Sequence, residues 1–264
     1  MKHKWYDIRA AAEETAEILI YDEISSWGVD ARQFVKDLSG VTAKSIRLRM
    51  NSPGGNVFDG IAIYNALKNH PATVNVEVDG LAASIASIIA MAGDTIYMAT
   101  NAFLMIHNAW ALAVGDSEEM RKMADVLDKI DTTMVRTYAE RTGSTQRDIR
   151  QMMSEETWMT AEEAKDAGFC DSVGDPVEAA AKLAEVFDFS KFQYKRVPEN
   201  LRAGRPGKPR HDRDLEDALR DAGLSRSEAK VAASAARAAT LRDAGKEDEE
   251  TEYALRRCLL AFQQ

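Results

Sequence analysis

Between residues 79 and 93 the chain reads Asp-Gly-Leu-Ala-Ala-Ser-Ile-Ala-Ser-Ile-Ile-Ala-Met-Ala-Gly, and a strand pattern gives way at once to a helix of small side chains. Ser84 stands at the turn between them. A serine at a strand-to-helix junction has its hydroxyl thrust out at the sheet edge, beside the partial positive charge of a helix N-terminus, and that is a nucleophile's setting. Taken alone, the plainer reading would prevail: an N-cap ahead of an Ala-rich helix whose side chains are small so that it can pack tightly. The neighbourhood tips the balance. Asn51-Ser52-Pro53-Gly54-Gly55 upstream and Met105-Ile106-His107-Asn108 downstream each follow a β-like run.

Around this stretch the periodicities alternate. Residues 16–21 give a first strand, residues 45–51 alternate strictly with Ile46, Leu48 and Met50 inward, and residues 73–79 alternate through Val74, Val76 and Val78. Between them lie a helix that Asp30 can cap, with Phe34, Val35 and Leu38 on one face, and a second from 57 to 69 that Pro71 stops. Strand, helix, strand, helix with short connections is the signature of right-handed crossover units on a largely parallel sheet, hence an α/β fold. Two short strands, 95–98 and 102–107, follow the Ser84 helix. Residues 1–15 read as a polar, helix-prone or loose lead-in.

Asp116 and Glu119 form a capping box for the longest helix, which runs to about residue 141 before Thr142-Gly143 ends it. At ~1.5 Å per residue it reaches about 40 Å, longer than a domain of this size needs, so it is expected to project. Next come a helix from near Ser144, a link at 155–159 whose Trp158 and Met159 should be buried, and a helix capped by Thr160 with Glu163. A closing strand is expected at 169–173. From Lys195 the character shifts to a basic Pro/Gly linker, and beyond it short, weakly hydrophobic helices are expected at 212–222, after Ser225, and at 247–262.

Composition excludes several classes. With 45% hydrophobic and 29% charged residues in 264, the chain can bury a sizeable core and is not disordered as a whole. A net charge of -9 argues against a general nucleic-acid or anionic-membrane surface. Cys170 and Cys258 have no metal-ligand spacing, so neither a zinc site nor a disulfide framework is indicated, and no cofactor is expected. The N-terminus lacks an apolar signal and the longest apolar run, 81–92, is too short to span a bilayer, so a cytoplasmic location is expected. There is no phosphate-binding G-x-x-x-x-G-K-[ST] loop, and any energy-dependent step would need a partner.

Taken together, Asn51-Ser-Pro-Gly-Gly55, Gly80-Leu-Ala-Ala-Ser84, Met105-Ile-His107 and Trp158-Met-Thr-Ala-Glu-Glu-Ala164 with Gly168 resemble the ClpP-like serine peptidases in motif order and spacing, over about residues 16 to 175. The Trp-Met-Thr-Ala-Glu-Glu-Ala form and the added tail are most similar to phage and prophage members, the head maturation or prohead proteases. The resemblance implies a ClpP/crotonase-like spiral of strand-helix units, with a protease domain at 16–192, a linker at 193–211 and a helical C-terminal extension at 212–264.

The same resemblance implies roles. Ser84 matches the nucleophile that forms an acyl-enzyme, and His107 the general base, a task suited to imidazole. Gly55 and Ile85 match the backbone donors of the oxyanion hole. Where the family usually has an aspartate two residues before the aromatic, this chain has Glu156, whose extra methylene demands a different backbone setback. Asp171 is the nearest competing acid, better matched to a structural position on the closing strand.

The function so implied is a serine endopeptidase acting on protein or peptide substrates, processing capsid or scaffold proteins during phage head maturation in the host cytoplasm or an assembling prohead. A homo-oligomer is implied with it, as a heptameric ring or stacked rings. Rival readings are a general ClpP-like protease working with an ATP-driven unfoldase, a serine-lysine enzyme, an acyl-CoA enzyme, and an inactive ring-forming assembly scaffold.

Overall fold

The computed structural model describes residues 5–11, 14–25, 31–175, 189–192, 194–198 and 201. In chain order its elements are β1 (Tyr6–Ala11), β2 (Thr15–Ile20), α1 (Ala31–Ser39), β3 (Ser45–Ser52), α2 (Val57–Lys68), β4 (Thr73–Ala83), α3 (Ile85–Ala90), β5 (Thr95–Ala99) and β6 (Phe103–Ile106). There follow α4 (Ser117–Thr142), α5 (Gln146–Ser154), β7 (Thr157–Thr160), α6 (Ala161–Asp166), β8 (Ser172–Gly174) and a 3-10 turn at Phe189–Phe192. Two units divide the chain, Met1–Arg205 and Pro206–Gln264, and every described residue belongs to the first. The helices expected at 212–222, after Ser225 and at 247–262 lie outside the described residues, as does most of the expected linker.

The fold is mixed α/β, built on one sheet ordered β1-β2-β3-β4-β5-β8, with β6 and β7 branching from β4. Among the described residues pairing is parallel from β2 to β5 and on to β8, and antiparallel only between β1 and β2 and between β6 and β7. The alternating residues face the core as their period requires: Ile46, Leu48, Met50, Val74, Val76 and Val78 are all buried. Each such side chain contributes roughly 1.5–3 kcal/mol of transfer free energy. α1 packs on α2 and α2 on α3, which closes the core over the sheet.

β4 is the branch point that positions everything else. Asn75 to Val78 pair with β5, whereas Leu81 to Ala83 pair with β6, with Ala83 opposite Met105. The sequence pattern stops alternating at Asp79, but the strand continues because Gly80-Leu81-Ala82-Ala83 is buried on both faces, where a parallel strand is uniformly apolar.

Residues 6–11 lie in the stretch read as a loose lead-in, yet they form β1. Their order, Tyr-Asp-Ile-Arg, alternates as a half-exposed edge strand does, and its charges obscured the pattern. Of the link read at 155–159, residues 157–159 belong to β7, with Met159 buried as expected but Trp158 only half-buried. The closing strand begins at Ser172, because the Asp171 carboxylate accepts the Ile96 amide at 2.6 Å ahead of the ladder.

α4 has the expected capping box between Asp116 and Glu119, and its chain ends in Gly143 at φ 72°. Its buried residues, Met134, Val135 and Tyr138, all lie in the second half, leaving the first half exposed as expected of a projecting helix. Among the described residues no helix is long and apolar enough to cross a membrane.

Candidate active site

Because Ala83 and Met105 are partners, the chain leaves β4 and β6 side by side. Ser84 follows at φ 56°, ψ −130°, a conformation that a residue with a side chain holds only under constraint. The constraint is a set of hydrogen bonds. The Ser84 amide donates to the Met105 carbonyl at 2.9 Å, and its carbonyl accepts from the amide and hydroxyl of Ser87 at 3.0 and 2.6 Å. Ser87 Oγ also lies 3.1 Å from the Met105 carbonyl and 2.8 Å from the Tyr138 hydroxyl. Both carbonyls can only accept, so the single Ser87 proton is taken up between them, mainly by the closer Ser84 carbonyl, and Tyr138 donates to Ser87. Burial raises the Tyr138 phenol well above its ordinary pKa and keeps it protonated for that role.

His107 follows β6, and its Nε2 lies 2.8 Å from Ser84 Oγ. Beyond it the chain is pinned at two points: the Asn108 amide donates to the Met153 carbonyl at 3.2 Å and the Ala109 amide to Asp131 Oδ1 at 2.7 Å. Burial lowers the imidazole pKa to about 4; the Glu156 carboxylate pulls it up and the Lys195 ammonium pushes it further down. The ring is therefore neutral at pH 7.

Pro53-Gly54-Gly55 closes over this pair. Gly54 has φ +98°, and a Cβ there would sit 2.7 Å from the Ser84 Cβ and 3.3 Å from the Ile85 nitrogen. Gly55 has φ +143°, and its Cβ would sit 2.0 Å from the Ile24 carbonyl oxygen. Only glycine lets the loop lie against the turn so closely. Ile24 clamps it on the far side, its amide donating to Gly54 and its carbonyl accepting from Asn56, both at 2.7 Å. The structure thus brings together Ser84, Ile85, His107 and the Gly54-Gly55 loop.

Glu156 is also drawn in, by a route the sequence did not indicate. Among the described residues it and Ser84 are the two non-glycine positions with positive φ, at 51° and 56°. Glu156 is 7% exposed, so its buried carboxylate oxygens must find donors. Oε1 accepts from the Arg196 amide at 2.7 Å and the Trp158 indole at 3.1 Å, and Oε2 from the Lys195 amide at 2.7 Å. It makes no hydrogen bond to His107. Asp171, the competing acid, is engaged elsewhere, accepting from the Ile96 amide and from Arg141.

Tyr194 stands over the pair, a residue with no motif to mark it. Its ring meets that of His107 edge-on at 5.3 Å, and its hydroxyl donates to the Pro53 carbonyl. A cleft of about 460 Å³ over Ser84 and His107 is lined by Gly55, Val57, Phe58, Trp110, Ile130 and Tyr194 among others. A second cleft, of about 830 Å³, also reaches His107 and is lined by Glu156, Lys195 and Arg196. Ser87, Tyr138 and Tyr194 escaped the sequence reading. Of the three, only Ser87, three residues past Ser84 and able to back-bond to its carbonyl, carried a local signal.

A strained serine turn with an imidazole against the hydroxyl, on a largely parallel sheet, defines a serine-type hydrolase. Residues 1–177 match the Clp protease family model, and the chain belongs to the Clp protease family. It is similar to the ATP-dependent Clp protease proteolytic subunit 3 of Streptomyces coelicolor (strain ATCC BAA-471 / A3(2) / M145), 34% identical over 155 residues, 58% of this chain and 70% of that protein. It is likewise similar to the ATP-dependent Clp protease proteolytic subunit of Pleurastrum terricola, 35% identical over 133 residues, 50% of this chain and 68% of that protein. The chain is thus a ClpP-type serine peptidase. The partner that the geometry gives Ser84 is an imidazole, not the lysine of the serine-lysine reading.

Proposed function

We propose that this chain cleaves peptide bonds by acyl transfer, with Ser84 as nucleophile and His107 as general base. The observation that carries the reading is the 2.8 Å contact between Ser84 Oγ and His107 Nε2 at the strained turn. In the tautomer with its proton on Nδ1, the neutral ring accepts the Ser84 proton as Oγ attacks the scissile carbonyl. His107 then returns that proton to the leaving amine, and the acyl-enzyme forms. Water, deprotonated by the same ring, releases the acid and restores Ser84.

The Gly55 and Ile85 amides are the donors for the oxyanion, the first brought against the turn by the absence of a Cβ. In comparable sites one such donor is worth roughly 2.7–4 kcal/mol of barrier. Glu156 supplies negative charge beside the ring and stabilises the imidazolium as it forms.

The exposed apolar residues Trp110, Leu112, Val114, Met120 and Val126 lie on the loop after His107 and the first half of α4. They support self-association through that surface, as a ring of the kind the ClpP resemblance implies. The tail and the Trp158-Met-Thr-Ala-Glu-Glu-Ala164 motif favour processing of capsid or scaffold proteins during phage head maturation. The names of the two relatives, both ATP-dependent proteolytic subunits, favour a second reading, degradation with an ATP-driven unfoldase.

The test is hydrolysis of a fluorogenic peptide and of casein by the purified full chain beside Ser84→Ala. Turnover by the parent and none by the variant is expected; equal turnover would refute the reading. Cleavage of a folded substrate only with an added unfoldase and ATP would favour the second role, and cleavage of capsid precursor without either the first.

A further inference from the structure

Part of the wall over Ser84 and His107, Phe192 and Tyr194, comes from beyond the family-matched region, which ends at residue 177. Tyr194 seals the site at three points. Its hydroxyl donates to the Pro53 carbonyl, its ring lies edge-on to His107 at 5.3 Å, and it also meets Trp158 edge-on at 5.7 Å. Burial raises its phenol pKa well above the ordinary value, and hydrogen bonding to Ser84 offsets part of that rise. So the tyrosine side chain stands where an incoming substrate must pass.

Its neighbours hold it there. Phe192 stacks on Tyr194 at 5.6 Å and lines the cleft over Ser84, and Phe189 meets Trp158 edge-on at 6.0 Å, packed with Tyr194 on the Met105 side of the site. The Lys195 and Arg196 amides then take both oxygens of Glu156 at 2.7 Å. These bonds are to a charged acceptor and are stronger than neutral ones. So engaged, Glu156 makes no hydrogen bond to His107.

We propose that residues 189–192 and 194–196 form an intramolecular inhibitory strap, in which Tyr194 fills the substrate approach to Ser84 while the Lys195 and Arg196 amides tie up both oxygens of Glu156. The strap presents the Tyr194 side chain to the cleft over Ser84. Release opens the cleft and frees Glu156 in one movement. Two events that activate a serine peptidase are thereby coupled to one segment, lying just ahead of the C-terminal unit.

The inference rests on Ser84 being the nucleophile, and its test separates the two. Full-chain parent, Tyr194→Ala and Tyr194→Phe are compared for the rate of Ser84 modification by a fluorophosphonate and for hydrolysis of a fluorogenic peptide. Tyr194→Ala should react at least tenfold faster than the parent, and Tyr194→Phe, which keeps the ring but loses the bond to Pro53, should lie between. A fluorescent synthetic peptide of residues 189–196 should bind Tyr194→Ala, inhibit it competitively, and bind the parent weakly. Equal or slower reaction of Tyr194→Ala would overturn the strap with the nucleophile intact. Absence of Ser84 labelling in all three would overturn the peptidase reading instead, and peptide binding alone would then decide the strap: no binding to Tyr194→Ala would refute it.

Discussion

Ser84 and His107 leave the ends of two paired parallel strands, and their side chains meet at 2.8 Å. The meeting is set by register. Ala83 opposite Met105 puts the serine one residue and the histidine two residues past the same rung, and a one-residue slip would turn one of them to the other face.

A pair that acts as a unit should fail as a unit. Ser84→Ala and His107→Ala are each expected to lower kcat by roughly 10⁴ or more, and the double variant should be little worse than either single one. Steady-state kinetics on the peptide substrate checks this. Multiplying losses would show two independent contributions.

The loop glycines are predicted to be irreplaceable. Gly55→Ala would place a Cβ 2.0 Å from the Ile24 carbonyl at φ +143°, and Gly54→Ala one 2.7 Å from the Ser84 Cβ. Each should cost on the order of 3 kcal/mol and abolish turnover, with urea unfolding as the measure. Parent-like stability in Gly55→Ala would mean that the loop does not press on Ile24.

Ser87→Ala removes the acceptor of the buried Tyr138 hydroxyl and the staple between the Ser84 and Met105 carbonyls. A loss of about 1–3 kcal/mol is expected, as for a buried polar group left unmade. Adding Tyr138→Phe should cost less than its effect alone, because the orphaned hydroxyl goes with it. Thermal melts of the two single variants and the double variant give the coupling.

The sign of the His107 shift makes a pH prediction. Its pKa of about 4 lies below the ordinary 6.5, so between those values the unfolded chain holds a proton that the folded one refuses. Stability from this group is therefore whole above pH 6.5 and lost as the pH falls to 4. The ring faces Ser84, Glu156, Lys195 and Tyr194. In Tyr194→Ala the burial is relieved and the lysine loosened, so the midpoint should move up. Imidazole proton resonances followed against pH in both proteins check this, and an unmoved midpoint would show that the segment does not bury the ring.

Ser84 stood out at the junction of a strand pattern and a small-residue helix, but its role and that of His107 were legible only because four motifs in the right order resemble one family. Gly55 came from the same resemblance, through its loop motif, and Ile85 by following the nucleophile directly. The rest depended on geometry that no local pattern encodes. Glu156 could be placed by its offset from Trp158, but its φ of 51° and its donors from 195 and 196 arise from a segment forty residues on. Tyr194 sits in what reads as the start of a basic linker, and nothing in Phe-Gln-Tyr-Lys-Arg announces a residue 110 positions earlier as its neighbour. β1 was readable from its alternation, and its charges drew the reading away.

The most direct measurement is intact mass and peptide mapping of the full chain after a serine-directed fluorophosphonate, with Ser84→Ala and His107→Ala in parallel and Tyr194→Ala as the opened form. One adduct on Ser84, absent from the first two variants and formed faster in the third, is the result predicted. An adduct elsewhere, or labelling that survives loss of His107, would contradict the assignment of nucleophile and base.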